Sequence, residues 1–432
     1  MEPSLHHHRW AIFFAFIILI SILGLFFPEL PDQWGDAKGI NAADVAWMIS
    51  ASGLVMLMTP GLSFFYGGMV RAKNVISTML QSFIALGVVT VIWYVVGFSL
   101  CFGDSLGGII GDPRTYFMFQ GVGSAPHPQL GATIPFALFA LFQLKFAILT
   151  PALITGSFAE RVHFSGYMLF MVLFSLIIYA PLAHMTWHPD GLLNVWGIKD
   201  FAGGLVVHAS SGAAALAGAI FFGRRKSKKH QPANIPFVLL GAGLLWFGWF
   251  GFNGGSSLRA DALAVRAFMM TGVASGIAML AWVFFDCVRG RKPSAIGAGV
   301  GAVVGLVAIT PSAGWVTTGQ SLFIGCFTSI ICNIAVYWKD HSSIDDALDV
   351  FPTHGIGGVI GTIFTGVFVG GLVAGNVDVF AKHVIAVTGV CLFSFFGSWI
   401  LYYLTNKMIP LRVSSESEDI GLDESQHSEK YL

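Results

Sequence analysis

The run VISTMLQSFIALGVVTVIWYVVGFSLCF, residues 75–102, carries no charged side chain. As a helix rising ~1.5 Å per residue it is long enough to cross a hydrocarbon core of roughly 30 Å. Lipid offers the backbone no hydrogen-bond partner, so such a stretch must be a helix with its amides satisfied internally or a strand of a closed barrel. Barrel strands alternate polar and apolar residues over about ten positions, and this run does not alternate. Similar runs recur along the chain. Across all 432 residues, 55% are hydrophobic and only 11% charged, against about a quarter charged in soluble domains. A water-soluble fold could not hide that much apolar surface. The expected fold class is therefore an all-α membrane protein. Formal net charge is zero and no basic face interleaved with aromatics occurs, so nucleic acid is excluded as a partner class.

Eleven spans are expected at about 44–67, 75–102, 133–158, 165–185, 201–222, 235–255, 263–287, 295–311, 316–338, 353–373 and 384–406. They make residues 44–406 a membrane domain and 407–432 a tail. Upstream, Ala11 to Phe27 forms another apolar run behind His6, His7, His8 and Arg9, so residues 1–30 read either as a signal peptide or as an additional helix.

Lysine and arginine set the orientation, because loops rich in them stay in the cytoplasm. With the first main span running inward, the inner segments hold Arg71, Lys73, Arg161, Arg224, Arg225, Lys226, Lys228, Lys229, Arg289, Arg291, Lys292, Lys339, Lys407, Arg412 and Lys430. The outer ones hold Lys38, Arg114, Lys199, Arg259, Arg266 and Lys382. Fifteen against six places the start of the core outside and the acidic tail inside. Eleven spans also allow two five-helix halves of opposite orientation plus a final helix, which would put a site at the midplane between the halves.

Ionisable groups inside a membrane are costly and so are functional candidates. Lys145, Asp200, His208 and His354 qualify. The two histidines lie in glycine-rich surroundings in the fifth and tenth spans, matching places in two halves. Imidazole donates at one nitrogen and accepts at the other, so two adjacent rings could relay a proton or bind a small polar molecule. Burial disfavours a charged ring, so at least one is expected neutral at rest. No carboxylate or cysteine stands one turn from either histidine, and neither a metal nor a cofactor is expected. Asp200 opens the fifth span, where it could cap the helix, draw an arriving cation, or do both. Phe142 and Phe146 share a helical face, as do Phe252 and Ser256 if their helix stays regular. Trp187 fits either an interfacial belt or an aromatic cup for a cation. Cys101, Cys287, Cys326, Cys332 and Cys391 fall in or beside apolar runs without CxxC spacing and read as small core residues. No nucleophile triad or nucleotide loop is visible, so an enzyme is not expected.

The strings PGLSFFYGGMVRAKN (60–74), FQLKF (142–146), FAER (158–161), DFAGGLVVH (200–208), WFGFN (249–253) and DDALDVFPTHG (345–355) occur in this order. Together they make the chain, from Asp44 to Leu432, resemble the ammonium transporter (Amt/Mep/Rh) family, bacterial Amt type. The resemblance implies a homotrimer in the inner or plasma membrane, with one pore per subunit built from two inverted halves. It implies ammonium or ammonia as substrate, with methylammonium as an analogue. Trp187, Phe142 and Ser256 are similar to the family's outer cation-recruitment site, with Asp200 supporting it. Phe146 and Phe252 look like its stacked gate, and His208 and His354 like its twin pore histidines. EDIGLD (418–423) and HSEKY (427–431) are similar to the cytoplasmic tail, where a PII-type protein often regulates family members. Three positions depart from the pattern: Lys145, the Phe351-Pro-Thr that precedes His354, and Ser428 where glycine is common. The implied mechanism is that NH4+ loses its proton and crosses as ammonia, since bare ammonium in an apolar path carries a large desolvation cost. The rival expectation is an ammonium sensor with little flux that signals in trans.

Overall fold

The computed structural model describes residues 3–35, 37–227 and 231–431; Lys228, Lys229 and Leu432, assigned above to the inner segments, lie outside them. Among the described residues the molecule is helical apart from one two-residue hairpin, β1 (Ser105–Leu106) with β2 (Ile110–Gly111). After α1 (Pro3–Gly24) come α2 (Ala42–Met69), α3 (Ala72–Phe102), α4 (Phe136–Phe158), α5 (Phe164–Val195), α6 (Gly204–Phe222), α7 (Ile235–Gly255) and α8 (Ala262–Val288). Then follow α9 (Ala295–Ile309), α10 (Thr318–Asp340), α11 (Phe351–Ala374) and α12 (Val377–Met408). Each of the eleven expected spans is a helix. Only α9 is shorter than a full crossing, because Pro311 follows and cannot continue the ladder. α12 starts two turns earlier than expected. Asp378 and Lys382, which interrupt the apolar pattern, pair across one turn, and the helix is capped by Asn376, whose side chain accepts from Val379 N.

Residues 11–24 are helical and lie along the bundle. The Trp10 ring sits 6.3 Å from Phe164 at one face, and the loop after α1 is tied to the other, where Gln120 Nε2 donates to Pro28 O (2.7 Å) and Gln33 Nε2 to Val122 O (3.1 Å). The face that carries Phe164 also carries the tail helices α13 (Ser415–Ile420) and α14 (Leu422–His427).

Two close crossings hold the halves together. The first helix of each half, α2 and α7, meet along small residues: a Cβ on Gly241 would lie 2.2 Å from Phe65 N. The fifth helix of each half, α6 and α11, pass even closer, and a Cβ on Gly212 would lie 2.1 Å from Gly355 Cα. Membrane helices, which gain little from burying apolar surface, associate by such backbone approach.

The tail face is closed by buried ions. Glu160 adopts a left-handed conformation (φ 70°) and accepts hydrogen bonds from Arg71 N (2.8 Å), Arg71 Nε (2.9 Å), Asn74 Nδ2 (3.0 Å) and Arg225 Nη1 (2.9 Å). Arg225 also forks onto Asp345, whose backbone carbonyl accepts from the buried Arg161. Burial alone would raise the Glu160 carboxyl, but the guanidiniums of Arg71 and Arg225 hold it at about 2. The tail docks on this layer. Asp423 accepts from Ile76 N (3.1 Å) and Ser77 N (2.8 Å), Asn74 Oδ1 accepts from Leu422 N (2.8 Å), and Lys73 Nζ donates to Glu418 O (2.9 Å).

All five cysteines are unbridged, yet the core reading holds in full only for Cys101 and Cys332. Cys326 and Cys391 are half-buried and Cys287 is exposed, because helices that face lipid keep an apolar outer surface that sequence does not distinguish from the core.

Two predictions follow from this face. Glu160→Gln, which leaves two arginines without their shared counter-charge, lowers stability by about 3 kcal/mol, read as a lower melting temperature in detergent. The Glu160 contribution is present above about pH 4.5 and lost as pH falls toward about 2, so the variant melts with a weaker acid dependence over that window. Ser428 ends α14 at φ 56°, a conformation that favours glycine. Ser428→Gly stabilises the docked tail by up to about 1 kcal/mol, seen as slower hydrogen exchange across residues 422–428.

Candidate conduction site

The site begins where α6 starts, at the face opposite the tail. Asp200 folds its carboxylate back over the incoming helix: Oδ1 accepts from Gly203 N (2.8 Å) and Gly204 N (2.7 Å), Oδ2 from Leu205 N (2.8 Å) and Val206 N (3.4 Å). Gly203 makes the turn at φ 121°, where a side chain would be strained. The capping role expected for Asp200 is built, since both of its oxygens accept from amides. Its backbone carbonyl accepts from Trp187 Nε1 (3.2 Å), which pins the half-buried indole to the head of α6.

Below this point a column of rings descends through the bundle. Phe142 packs on Gly255, where a Cβ would lie 2.7 Å from its ring; the next residue, Ser256, caps α7 and donates from Oγ to Phe252 O (2.8 Å). Phe142 meets Phe146 edge to face with centroids 4.9 Å apart, and Trp187 meets Phe146 at 5.8 Å. Phe146 and Phe252 lie 4.3 Å apart and close the column. Beyond Phe252, at 6.0 Å, comes His208. All of Phe142, Phe146, Phe252, His208 and His354 are buried.

His208 and His354 face each other with Nδ1 atoms 3.3 Å apart and ring planes 25° from parallel. One proton serves both nitrogens, one ring donating and the other accepting. His208 Nε2 is buried without a hydrogen-bond partner. Each histidine sits in a π-helical turn, Gly204–Ala209 in α6 and Phe351–Ile356 in α11. Such turns are rare and concentrate at functional sites. Pro352 lies in the first turn of α11, where its missing N–H removes no helix bond. The Phe351-Pro-Thr departure is therefore compatible with the pairing.

Trp249 belongs to the site although nothing in its spacing marked it. Its indole stacks on His208 (5.2 Å, 19°), and Nε1 donates to Thr310 Oγ1 at 2.8 Å. Thr310 is 61 residues away in sequence, so no local pattern could reveal the support.

Lys145 lies off this path. It is half-buried on the stripe of Ala137 and Leu141, while the neighbouring Phe142 and Phe146 are fully covered. One step along a helix turns about 100°, which carries Lys145 to the outer surface of the bundle. No cluster of histidine, cysteine and acidic residues placed to hold a metal occurs among the described residues.

The family described as Ammonium Transporter Family matches residues 46–431. The chain belongs to the ammonium transporter family. It is a multi-pass membrane transporter of that family and not an enzyme. An ammonium transporter of Aquifex aeolicus is 43% identical over 422 residues, covering 96% of this chain and 97% of that protein. The crystal structure of Saccharomyces cerevisiae Mep2 superposes with a TM-score of 0.82 at 32% identity, covering 88% of this chain and 89% of the other. A structure described as a sensor Amt protein superposes with a TM-score of 0.81 at 30% identity, covering 89% and 98% respectively.

The transporter's α6 depends on its cap. Asp200→Asn replaces one accepting oxygen by a donor that opposes two amides, so it destabilises the start of α6 by about 1–3 kcal/mol. Hydrogen exchange at residues 203–206 reads the loss directly.

Proposed function

We propose that this ammonium transporter captures NH4+ between Trp187, Phe142 and Ser256, strips its proton near the Phe146–Phe252 pair, and conducts ammonia past His208 and His354 while those rings carry the proton. The observation that supports this most is the buried Nδ1–Nδ1 contact of 3.3 Å beyond two phenylalanines whose ring centroids lie 4.3 Å apart. An aromatic cup attracts a cation by roughly 0.5–2 kcal/mol. That is far less than an ion's desolvation cost in an apolar path, whereas ammonia carries only the cost of a small polar group. Releasing the proton is the cheaper route, and a shared imidazole proton gives it somewhere to go.

In this reading the tail face is cytoplasmic, in keeping with the lysine and arginine count, and the capture site opens outward. Asp200 supports capture indirectly, by fixing the head of α6 and the Trp187 indole. The protein works as a homotrimer with one pore per subunit, and the docked tail is the surface available to a PII-type regulator.

Currents recorded from reconstituted protein test the proposal. An ammonium gradient drives charge and an equal potassium gradient does not. Replacing both His208 and His354 by leucine abolishes selective current; selective flux of wild-type size in that variant removes the relay. The likeness to a sensor Amt protein keeps a second reading in view, a receptor of low flux. Growth of a transporter-deficient host on low ammonium separates the two, since a sensor alone does not restore it.

A further inference from the structure

The two histidine helices follow one plan and differ at one carboxylate. Asp200 stands eight residues before His208, and Asp346 eight residues before His354. Each caps the π-helical turn that carries its histidine, one from either face of the bundle. Asp200 gives both oxygens to four amides. Asp346 gives only one: Oδ2 accepts from Phe351 N at 2.7 Å, and Oδ1 is buried without any hydrogen-bond partner. The residue is fully enclosed, so an ionised carboxylate there leaves a buried oxygen without a donor, where a proton is welcome.

We propose that Asp346 is the proton port of the tail-face end of the pathway, taking on Oδ1 the proton that leaves His354 and handing it to water. The inference rests on the proton-relay reading above. In the step, an imidazolium N–H bond of His354 breaks and a carboxyl O–H bond forms on Asp346, with intervening water carrying the proton between them. That O–H bond then breaks to give hydronium in the cytoplasm, and ammonia leaving the pore recombines with a proton there. Charge balances, and no oxidant or reductant takes part.

The surroundings suit this role. A cavity of about 410 Å³ opens on the tail face, and its lining includes Asp345, Ala347, Leu348 and Asp349, which flank Asp346 in sequence, together with Arg225 and Lys339. The charged and titratable groups around Asp346 are Lys339 of α10, Asp345 and Asp349 of the same loop, Arg161 between α4 and α5, and Tyr66 of α2. Lys339 Nζ donates to the Asp346 backbone carbonyl (3.2 Å) and pairs with Asp349, so its charge is divided among several acceptors. Burial, aided by Asp349, outweighs the Lys339 ammonium and the helix amides and lifts the Asp346 carboxyl to about 6. A group that titrates there exchanges protons readily with a near-neutral cytoplasm.

The test is ammonium-driven current through full-length protein in liposomes as pH on the tail side is varied. Wild-type current falls as that side is acidified through about pH 6, because a protonated Asp346 cannot accept. Asp346→Asn keeps an oxygen for Phe351 N. It lowers maximal current roughly 10-fold or more and loses the tail-side titration, while KM for ammonium stays within about twofold. Asp346→Glu restores part of the current. An Asn variant with wild-type current and titration overturns the proposal. Should that variant fold poorly, the wild type alone decides: a current flat in tail-side pH between 5 and 7, roughly a unit either side of the expected midpoint, also overturns it. Loss of current in the double histidine variant together with indifference to Asp346 removes the port and leaves the relay standing. Selective current that survives without either histidine removes the relay itself.

Discussion

The structure depends on one close crossing. α6 and α11 enter from opposite faces and meet where Gly212 and Gly355 leave no room for a Cβ. Gly358 repeats the approach, since a Cβ there would sit 2.7 Å from Ala209 N and 2.9 Å from His208 Cβ. Two helix axes this near bring nearby side chains into hydrogen-bond range, and these are His354, next to Gly355, and His208, four residues before Gly212. A single methyl group at the crossing would separate the rings. The glycines and the histidine pair are one device: the first sets the distance and the second uses it.

A helix that begins at a buried pore must account for its first amides, which have no partner within the helix. In lipid, water cannot supply one. α6 solves this with the carboxylate of Asp200 spread over four N–H groups, and α11 with Asp346 on Phe351. The π-helical turns that follow rotate each histidine toward the crossing. Trp249, held by Thr310, covers the open face of His208. Pore geometry is thus settled by satisfied backbone groups and stacked rings, which are stiff, and not by long flexible side chains.

How much of this was legible follows from what each signal depends on. The eleven spans were readable because lipid forces long uncharged helices, and misreadings occurred where a charge sits harmlessly at a helix end, as with Asp378 and Lys382 in α12. The twin histidines stood out as ionisable groups in apolar runs. Lys145 stood out for the same reason, and only helix rotation separated it from the pore. The eight-residue interval from Asp346 to His354 matches that from Asp200 to His208 and was on view, but an acidic residue in a charged loop draws no notice until the fold shows it enclosed. The Trp249–Thr310 bond and the exposure of Cys287 depend on which faces of distant helices meet, and no local pattern encodes that.

The same constraint limits what can pass. From the Phe146–Phe252 pair to His354 the path is lined by rings, and the unsatisfied polar atom found there is His208 Nε2. An ammonium ion has four N–H donors and in water all four are met. One imidazole nitrogen and ring faces cannot replace that shell, so the desolvation cost of the ion stays largely unrecovered. Potassium meets the same deficit and has no proton to surrender. Ammonia needs far less and finds both an acceptor and an apolar wall. In the proposed mechanism, selectivity comes from withholding ligands along the path while the proton takes a separate route, and the crossing of glycines that brings two imidazoles into contact is what that mechanism builds on.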